Sequence, residues 1–111
     1  MLMTVRSEPR VPGYGELAAR VYRRARCAVS RVDPDEWFPI AQDVDRARVE
    51  AAGAIAVCAA CPVRPDCLEL SLRYASGIGA YGVWGGLVEA ERRVLRRRWL
   101  RGDSVIDFLR G

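Results

Sequence analysis

Four cysteines constrain this chain more than any other feature. Cys27 is followed after thirty residues by Cys58, then after two by Cys61 and after five by Cys67, and no histidine accompanies them. Cys58 and Cys61 lie one helical turn apart, so two ligands at a helix end can reach one centre. Cys67 falls in the first turn of a helix predicted to start near Pro65, where unpaired N–H groups and the helix dipole favour a thiolate. Without histidine, a four-ligand protein site is all-thiolate unless a carboxylate joins, which suits tetrahedral zinc or an iron–sulfur cluster. The five-residue gap and the solitary Cys27 fit a two-knuckle zinc site less well than a cluster, whose larger core accepts more widely spread ligands. A dithiol couple at Cys58-Ala-Ala-Cys61 is the third possibility, although no βαβ pattern surrounds it.

The rest of the chain narrows the setting. At 111 residues it is one small domain, and a metal or cross-link would help stabilise its modest core. Met1-Leu2-Met3 leads into Arg, Glu and Pro rather than an apolar run, so no secretory signal is expected. The least polar stretch, residues 51–61, is Ala- and Gly-rich and about half the length of a membrane span. The expectation is a cytoplasmic protein with reduced thiols, which favours metal binding or redox chemistry over structural disulfides. No membrane partner and no small-molecule substrate are expected.

The predicted elements are helical throughout. The first fourteen residues are Pro- and Gly-rich and read as a flexible tail. A short helix over about 16–26 delivers the chain to Cys27. Residues 30–40 form an ordered loop with Trp37 and Phe38 buried in it, a candidate apolar shell for the cysteine site. Asp43 opens a helix running to about Cys58, with Val44, Ala47, Ala51, Ile55 and Cys58 on one face. Gly53 weakens it by roughly 1 kcal/mol and points to a close approach. After Pro62 a second long helix runs from Pro65 to about Ser76, and Gly77 ends it. A glycine-rich turn around Trp84 leads into a helix over 88–101, and a short tail with Ile106, Phe108 and Leu109 closes the chain. The fold class is all-α: a small bundle of four to five short helices wrapped around the cysteine-bound group, with flexible termini. The expected divisions are a tail (1–14), a cysteine-bearing core (15–87), and a basic helix with its tail (88–111).

Charge is unevenly placed. All eighteen basic residues are arginine; residues 1–89 carry eleven of them against eleven acids, and residues 90–111 carry seven against three. The whole net charge of +4 therefore sits at the C-terminal end. Arg92, Arg93, Arg96, Arg97, Arg98 and Arg101 crowd the last long helix, with Val94, Leu95 and Trp99 expected on its apolar side. Like-charge pairs at i,i+4, such as Arg93–Arg97, destabilise an isolated helix, so this face reads as built for an anionic partner, with DNA phosphate foremost. Upstream, Gly82-Val83-Trp84-Gly85-Gly86 reads either as a tight turn with Trp84 plugging the core or as a contact surface for a partner. Arg64 and Arg73 either offset the charge of a cluster, which with four thiolates carries a formal charge of about −2, or are simply solvated, and proximity in sequence alone favours the second.

Taken in order, Cys27, the DPDEWFP segment (33–39), CAACPVRPDC (58–67), GVWGG (82–86) and ERRVLRRRW (91–99) resemble the WhiB-like proteins, small bacterial iron–sulfur transcriptional regulators. The resemblance implies that Cys27, Cys58, Cys61 and Cys67 hold one [4Fe–4S] cluster that responds to oxygen and nitric oxide. It also implies disulfides among these cysteines after cluster loss, and a regulator rather than an enzyme. It further implies that the GVWGG turn (Gly82, Val83, Trp84, Gly85, Gly86), with Trp37, Phe38 and Pro39, contacts the C-terminal domain of the principal sigma factor, while the basic end binds DNA. One departure stands out. Where many members carry Thr or Ser to cap the last helix, this chain has Val88, so that helix is expected to fray at its start. It also lacks an AT-hook-like R-G-R-P.

Overall fold

In the computed structural model, which describes residues 13–110, six α-helices and three 3₁₀ turns make up the fold, with no strand among the described residues. The α-helices are α1 (Tyr14–Arg24), α2 (Val44–Glu50), α3 (Ala52–Ala59), α4 (Arg64–Arg73), α5 (Glu89–Leu100) and α6 (Val105–Arg110). The 3₁₀ turns cover Arg26–Val29, Pro34–Trp37 and Ile78–Ala80. The expected all-α class holds. All but the last two residues of the tail expected over 1–14 lie outside the described residues, and α1 already begins at Tyr14.

α4 is the central element because it is apolar on opposite sides. Leu68 and Leu72, one turn apart, pack with Leu87, Leu95 and Val105. Leu70, half a turn round, packs with Leu17, Ala18, Val21 and Val63, and Trp84 and Cys67 border that group. A third apolar group joins Ala47, Ala51, Ala54 and Cys58 to Val83 and Val88, so the predicted stripe of the 43–58 helix does face the core. Asp43 caps it as expected, its carboxylate accepting from Arg46 N at 3.0 Å.

Three expectations about the helices are corrected. The 43–58 segment bends at Ala51 (φ −104°, ψ 16°) and becomes two helices. The cause is the Glu36 carboxylate, which accepts from Gly53 N at 2.7 Å. A Cβ at Gly53 would lie 2.7 Å from that oxygen, so the glycine admits an acceptor that competes with the helix's own ladder. α4 stops at Arg73 rather than Ser76; Gly77 N and Gly79 N both turn back to the Tyr74 carbonyl, at 2.9 and 3.0 Å. The C-terminal residues form α6 rather than a loose tail, because Val105 is buried and Phe108 and Leu109 pack on the α4–α5 group.

α5 starts where the sequence indicates, with Val88 at its cap. Valine has no side-chain acceptor, yet the start is held. Val88 is only 1% exposed, and its N–H donates to the Glu91 carboxylate at 3.0 Å, which is half of a capping box. Buried apolar area replaces the missing hydroxyl.

Candidate metal centre

The four cysteines come from four different places in the fold and line one cavity of about 390 Å³. Cys27 lies in the exposed 3₁₀ turn after α1, and buried Cys58 in the last turn of α3. Cys61 sits in the link to α4, and Cys67 is the fourth residue of α4. All four are free thiols. Aromatic rings of Trp37, Phe38, Tyr81 and Trp84 complete much of the wall.

Backbone N–H groups point at the sulfurs. Arg26 N lies 3.5 Å from Cys61 Sγ, Gly86 N–H is directed to Cys58, and Gly85 N–H to Cys67. Burial pushes the Cys27 thiol up, and the neighbouring Cys61 pushes it further. Burial likewise raises Cys58, against the Gly86 N–H and the Arg64 guanidinium, which lower it. Cys67 is pushed up to about 12, chiefly by burial, with the other three sulfurs adding to the rise. The expected helix-start thiolate at Cys67 is therefore corrected. Its own N–H is already spent on Val63 O at 2.8 Å, and desolvation outweighs the helix dipole. As free groups Cys27, Cys58 and Cys67 are held toward the protonated form, and a cationic occupant would favour their thiolates.

Zinc–sulfur bonds of about 2.3 Å would bring all four sulfurs to about 4 Å of one another. Among the described residues no three cysteine, aspartate or glutamate side chains converge tightly enough for a single ion. All four cysteines nevertheless line the same cavity, an all-thiol donor set compatible with a metal cluster.

The turn expected over 82–86 lies against this cavity. Trp84 N donates to Leu87 O and Leu87 N to Trp84 O, at 3.1 and 3.0 Å, with Gly85 at φ 55° and Gly86 at φ 79° between them. Two consecutive positive φ values define a type I′ reversal, which only glycine adopts freely here. Val83 N donates to Trp37 O at 2.8 Å, so the Trp37-Phe38-Pro39 segment and the turn form one surface. Trp84 packs partly into the α1–α4 group while its Nε1 donates to Tyr81 O at 2.9 Å. Trp37 is half-buried, but Phe38 is 64% exposed, contrary to expectation: the chain turns outward after Trp37, leaving its ring at the cavity mouth.

The arginine helix divides differently from the single basic face anticipated. Arg93, Arg97 and Arg101 are exposed. Arg96 is half-buried and its Nε donates to Leu72 O at 3.1 Å, while Arg98 pairs with Asp103 at 3.1 Å and lies over the Phe108 ring. Arg92 is 4% exposed and donates to the carbonyls of Gly82, Leu87 and Gly79. Its assignment as a DNA contact is therefore corrected. Burial lowers its pKa to about 10, which still leaves it charged at neutral pH. Val94, expected on the apolar side, is exposed, because Arg92, Leu95 and Trp99 form the inward stripe. Arg64 lines the cavity, whereas Arg73 pairs with Glu69 at 2.7 Å along α4. The sequence offered no sign of Arg48, which holds Glu91 at 2.8 Å across 43 residues and reaches Gly86 O at 3.5 Å across 38, or of Glu89, which accepts from Gly82 N at 3.2 Å.

Fold and site together define a small all-α protein with a four-cysteine cavity roofed by a glycine turn, beside a basic helix. The family model described as Transcription factor WhiB matches residues 22–95, a span from just before the first cysteine into α5. The chain is 41% identical to the transcriptional regulator WhiB1 of Bifidobacterium longum over 78 residues, 70% of this chain and 80% of that protein. It is 41% identical to WhiB1 of Mycobacterium tuberculosis over 66 residues, 60% of this chain and 74% of that protein. It is 40% identical to WhiB of Streptomyces coelicolor over 74 residues, 67% of this chain and 72% of that protein. This chain belongs to the WhiB family of transcription factors, and its four cysteines are compatible with a metal cluster. None of its described helices is long and apolar enough to cross a membrane.

Proposed function

We propose that this protein is a non-enzymatic, redox- and nitric-oxide-responsive transcription factor of the bacterial cytoplasm that holds one [4Fe–4S] cluster through Cys27, Cys58, Cys61 and Cys67. The observation that carries the reading is the one cavity lined by all four cysteines, with backbone N–H donors directed at Cys58, Cys61 and Cys67. Such a cluster supplies one-electron chemistry and a target for oxygen and nitric oxide. The chain's own residues do the rest. Arg26, Gly85 and Gly86 offer N–H groups to the sulfurs, and the aromatic wall restricts water. The surface formed by Gly82–Gly86 with Trp37, Phe38 and Pro39 is the proposed contact for the C-terminal domain of the principal sigma factor. Exposed Phe38, next to a turn whose shape depends on two glycines, supports that assignment.

Protein purified without oxygen is expected to carry iron and acid-labile sulfide each at about four per chain, with a broad visible absorption band. Zinc at about one per chain without sulfide would replace the sensor by a static cross-link.

For DNA, the proposed phosphate contacts are exposed Arg93, Arg97 and Arg101, with Arg96 and Arg98 contributing only the edges their intramolecular bonds leave open. Each of Arg93→Gln, Arg97→Gln and Arg101→Gln is expected to lower affinity for a mixed-sequence duplex and to reduce the slope of log K against log[salt] by about 0.9. Anisotropy titrations over a salt series measure this, and unchanged slopes in all three variants would move the DNA surface elsewhere. The expected divisions at residues 14 and 87 become, on this reading, a tail, a sensing core and a DNA-binding end. α6 ties that end back to the core.

A further inference from the structure

Three arginines from three helices hold the carbonyls of the glycine turn. Arg92 of α5 takes Gly82 O, Arg48 of α2 reaches Gly86 O at 3.5 Å, and Arg64 of α4 takes Gly85 O through Nε at 2.8 Å. Of the three, only Arg64 also lines the cysteine cavity. Its place in the chain explains this. It is the first residue of α4, between Cys61 and Cys67, so the segment that supplies two ligands also aims a guanidinium at the turn.

The contact is close on both sides. A Cβ built on Gly86 would meet Arg64 Nη2 at 3.3 Å and Cys58 Cβ at 3.4 Å, so the Gly86 backbone is sandwiched between the guanidinium and a proposed ligand. Arg64 is half-buried, and among the described residues no carboxylate forms an ion pair with it. Arg48 differs, because Glu91 neutralises it. A partly desolvated cation beside four thiols and a largely apolar wall is electrostatically incomplete until negative charge enters the cavity.

We propose that Arg64 is a positioning residue that couples the cysteine site to the glycine turn: it forms the cationic wall of the cavity and with the same side chain holds the Gly85 carbonyl. The inference rests on the cluster reading above. A group carrying a formal charge of about −2 with its four thiolates is stabilised by this guanidinium, and a further electron, arriving with no proton, is stabilised more. Arg64 therefore raises the reduction potential. When the charge in the cavity changes, the pull on the guanidinium changes, and the Gly85–Gly86 peptide units feel it directly. The surface proposed to meet sigma factor is thereby made sensitive to the condition of the site.

The test compares wild type with Arg64→Met and Arg64→Lys. Each protein is loaded anaerobically, assayed for iron and sulfide, and titrated with dithionite as the one-electron donor under a potentiometric electrode. Decay of the visible band in air is followed, and amide hydrogen exchange at Gly85, Gly86 and Leu87 is measured in loaded and metal-free protein. Arg64→Met is expected to shift the potential to more negative values, to lose its visible band faster by on the order of tenfold, and to exchange these amides faster. Arg64→Lys keeps the charge but not the planar fork, so its potential stays near wild type while the turn amides exchange as in the methionine variant. If the methionine variant does not load, the lysine variant decides through its exchange rates. A fully loaded Arg64→Met protein with wild-type potential, or loaded variants with wild-type exchange at the turn, would overturn the inference while leaving the cluster reading intact. Wild-type protein that binds zinc and no sulfide would overturn the cluster reading itself, and exchange in the metal-free variants would still report whether Arg64 holds the turn.

Discussion

Replacing Arg92 by methionine is expected to destabilise the protein by about 3 kcal/mol or more. The guanidinium donates to three carbonyls, those of Gly82, Leu87 and Gly79, and all three residues are buried. Methionine fills much of the same volume but leaves the Gly82 and Gly79 oxygens without a donor, while Leu87 O keeps Trp84 N at 3.1 Å, and an unsatisfied buried acceptor costs about 1–3 kcal/mol. A partial gain offsets this. Arg92 Nε is itself buried without a partner, and burying the charge lowers the pKa, so removing the group relieves some desolvation. The offset is smaller than the loss because two stranded acceptors outnumber one orphaned donor. Urea denaturation of Arg92→Met and, as a control, Arg97→Gln separates this role from a DNA role, since an exposed arginine should change stability by no more than about 0.5 kcal/mol. A stable Arg92→Met protein that had lost only DNA binding would return Arg92 to the DNA surface.

That prediction could not have come from the sequence, and the reason is instructive. Helical periodicity orders side chains by angle, and Arg92 does lie on the inward stripe with Leu95 and Trp99. Reading arginines as solvated sets that geometry aside, because the periodicity carries no information about the carbonyls waiting inside. Those carbonyls exist because the Ile78–Ala80 turn and the 82–86 turn expose backbone to the interior instead of pairing it in a ladder. The cysteine site was more legible. Ligand chemistry restricts residue type and spacing, so the four thiols identified themselves, and the glycines of the turn did the same through the conformation they permit. Legibility ended wherever a contact joined distant segments: Glu36 reaching Gly53 to split a helix, Arg48 reaching Glu91, Val105 anchoring a segment that looked like tail. Each depends on tertiary proximity that no local window contains. Phe38 shows the converse. Its hydrophobicity argued for burial, but its location at a cavity mouth leaves it exposed.

Gly79→Ala is expected to be at least as damaging as the loss of Arg92, for a different physical reason. Gly79 shows no positive φ, so backbone strain plays no part. The obstacle is space. A Cβ on Gly79 would fall 2.1 Å from Ser71 O, 2.7 Å from Ser71 Cα and 2.8 Å from its carbonyl carbon, all backbone atoms of α4. A clash with the end of a flexible side chain can relax by rotation, but a clash with helix backbone moves the helix. α4 is the element least free to move, since Leu68, Leu70 and Leu72 bury it on opposite sides and Cys67 lies one turn from Ser71. Overpacking in well-packed cores costs about 1–3 kcal/mol when side chains can adjust, so a backbone collision should reach or exceed about 3 kcal/mol. Displacing Ile78–Ala80 also pulls the Gly79 carbonyl from Arg92 Nη2, now 3.2 Å away, and loosens the start of the glycine turn. Gly15→Ala is the matched control. It lies inside α1 with open space where its Cβ would be, and should stabilise the protein by up to about 1 kcal/mol through helix propensity. Thermal melts of the two variants with parallel iron analysis would show Gly79→Ala poorly folded and poorly loaded and Gly15→Ala unimpaired. If Gly79→Ala melted within a degree or two of wild type, the close approach of the 78–80 turn to α4 would be wrong, and with it the packing that brings Arg92 and the glycine turn over the cysteine site.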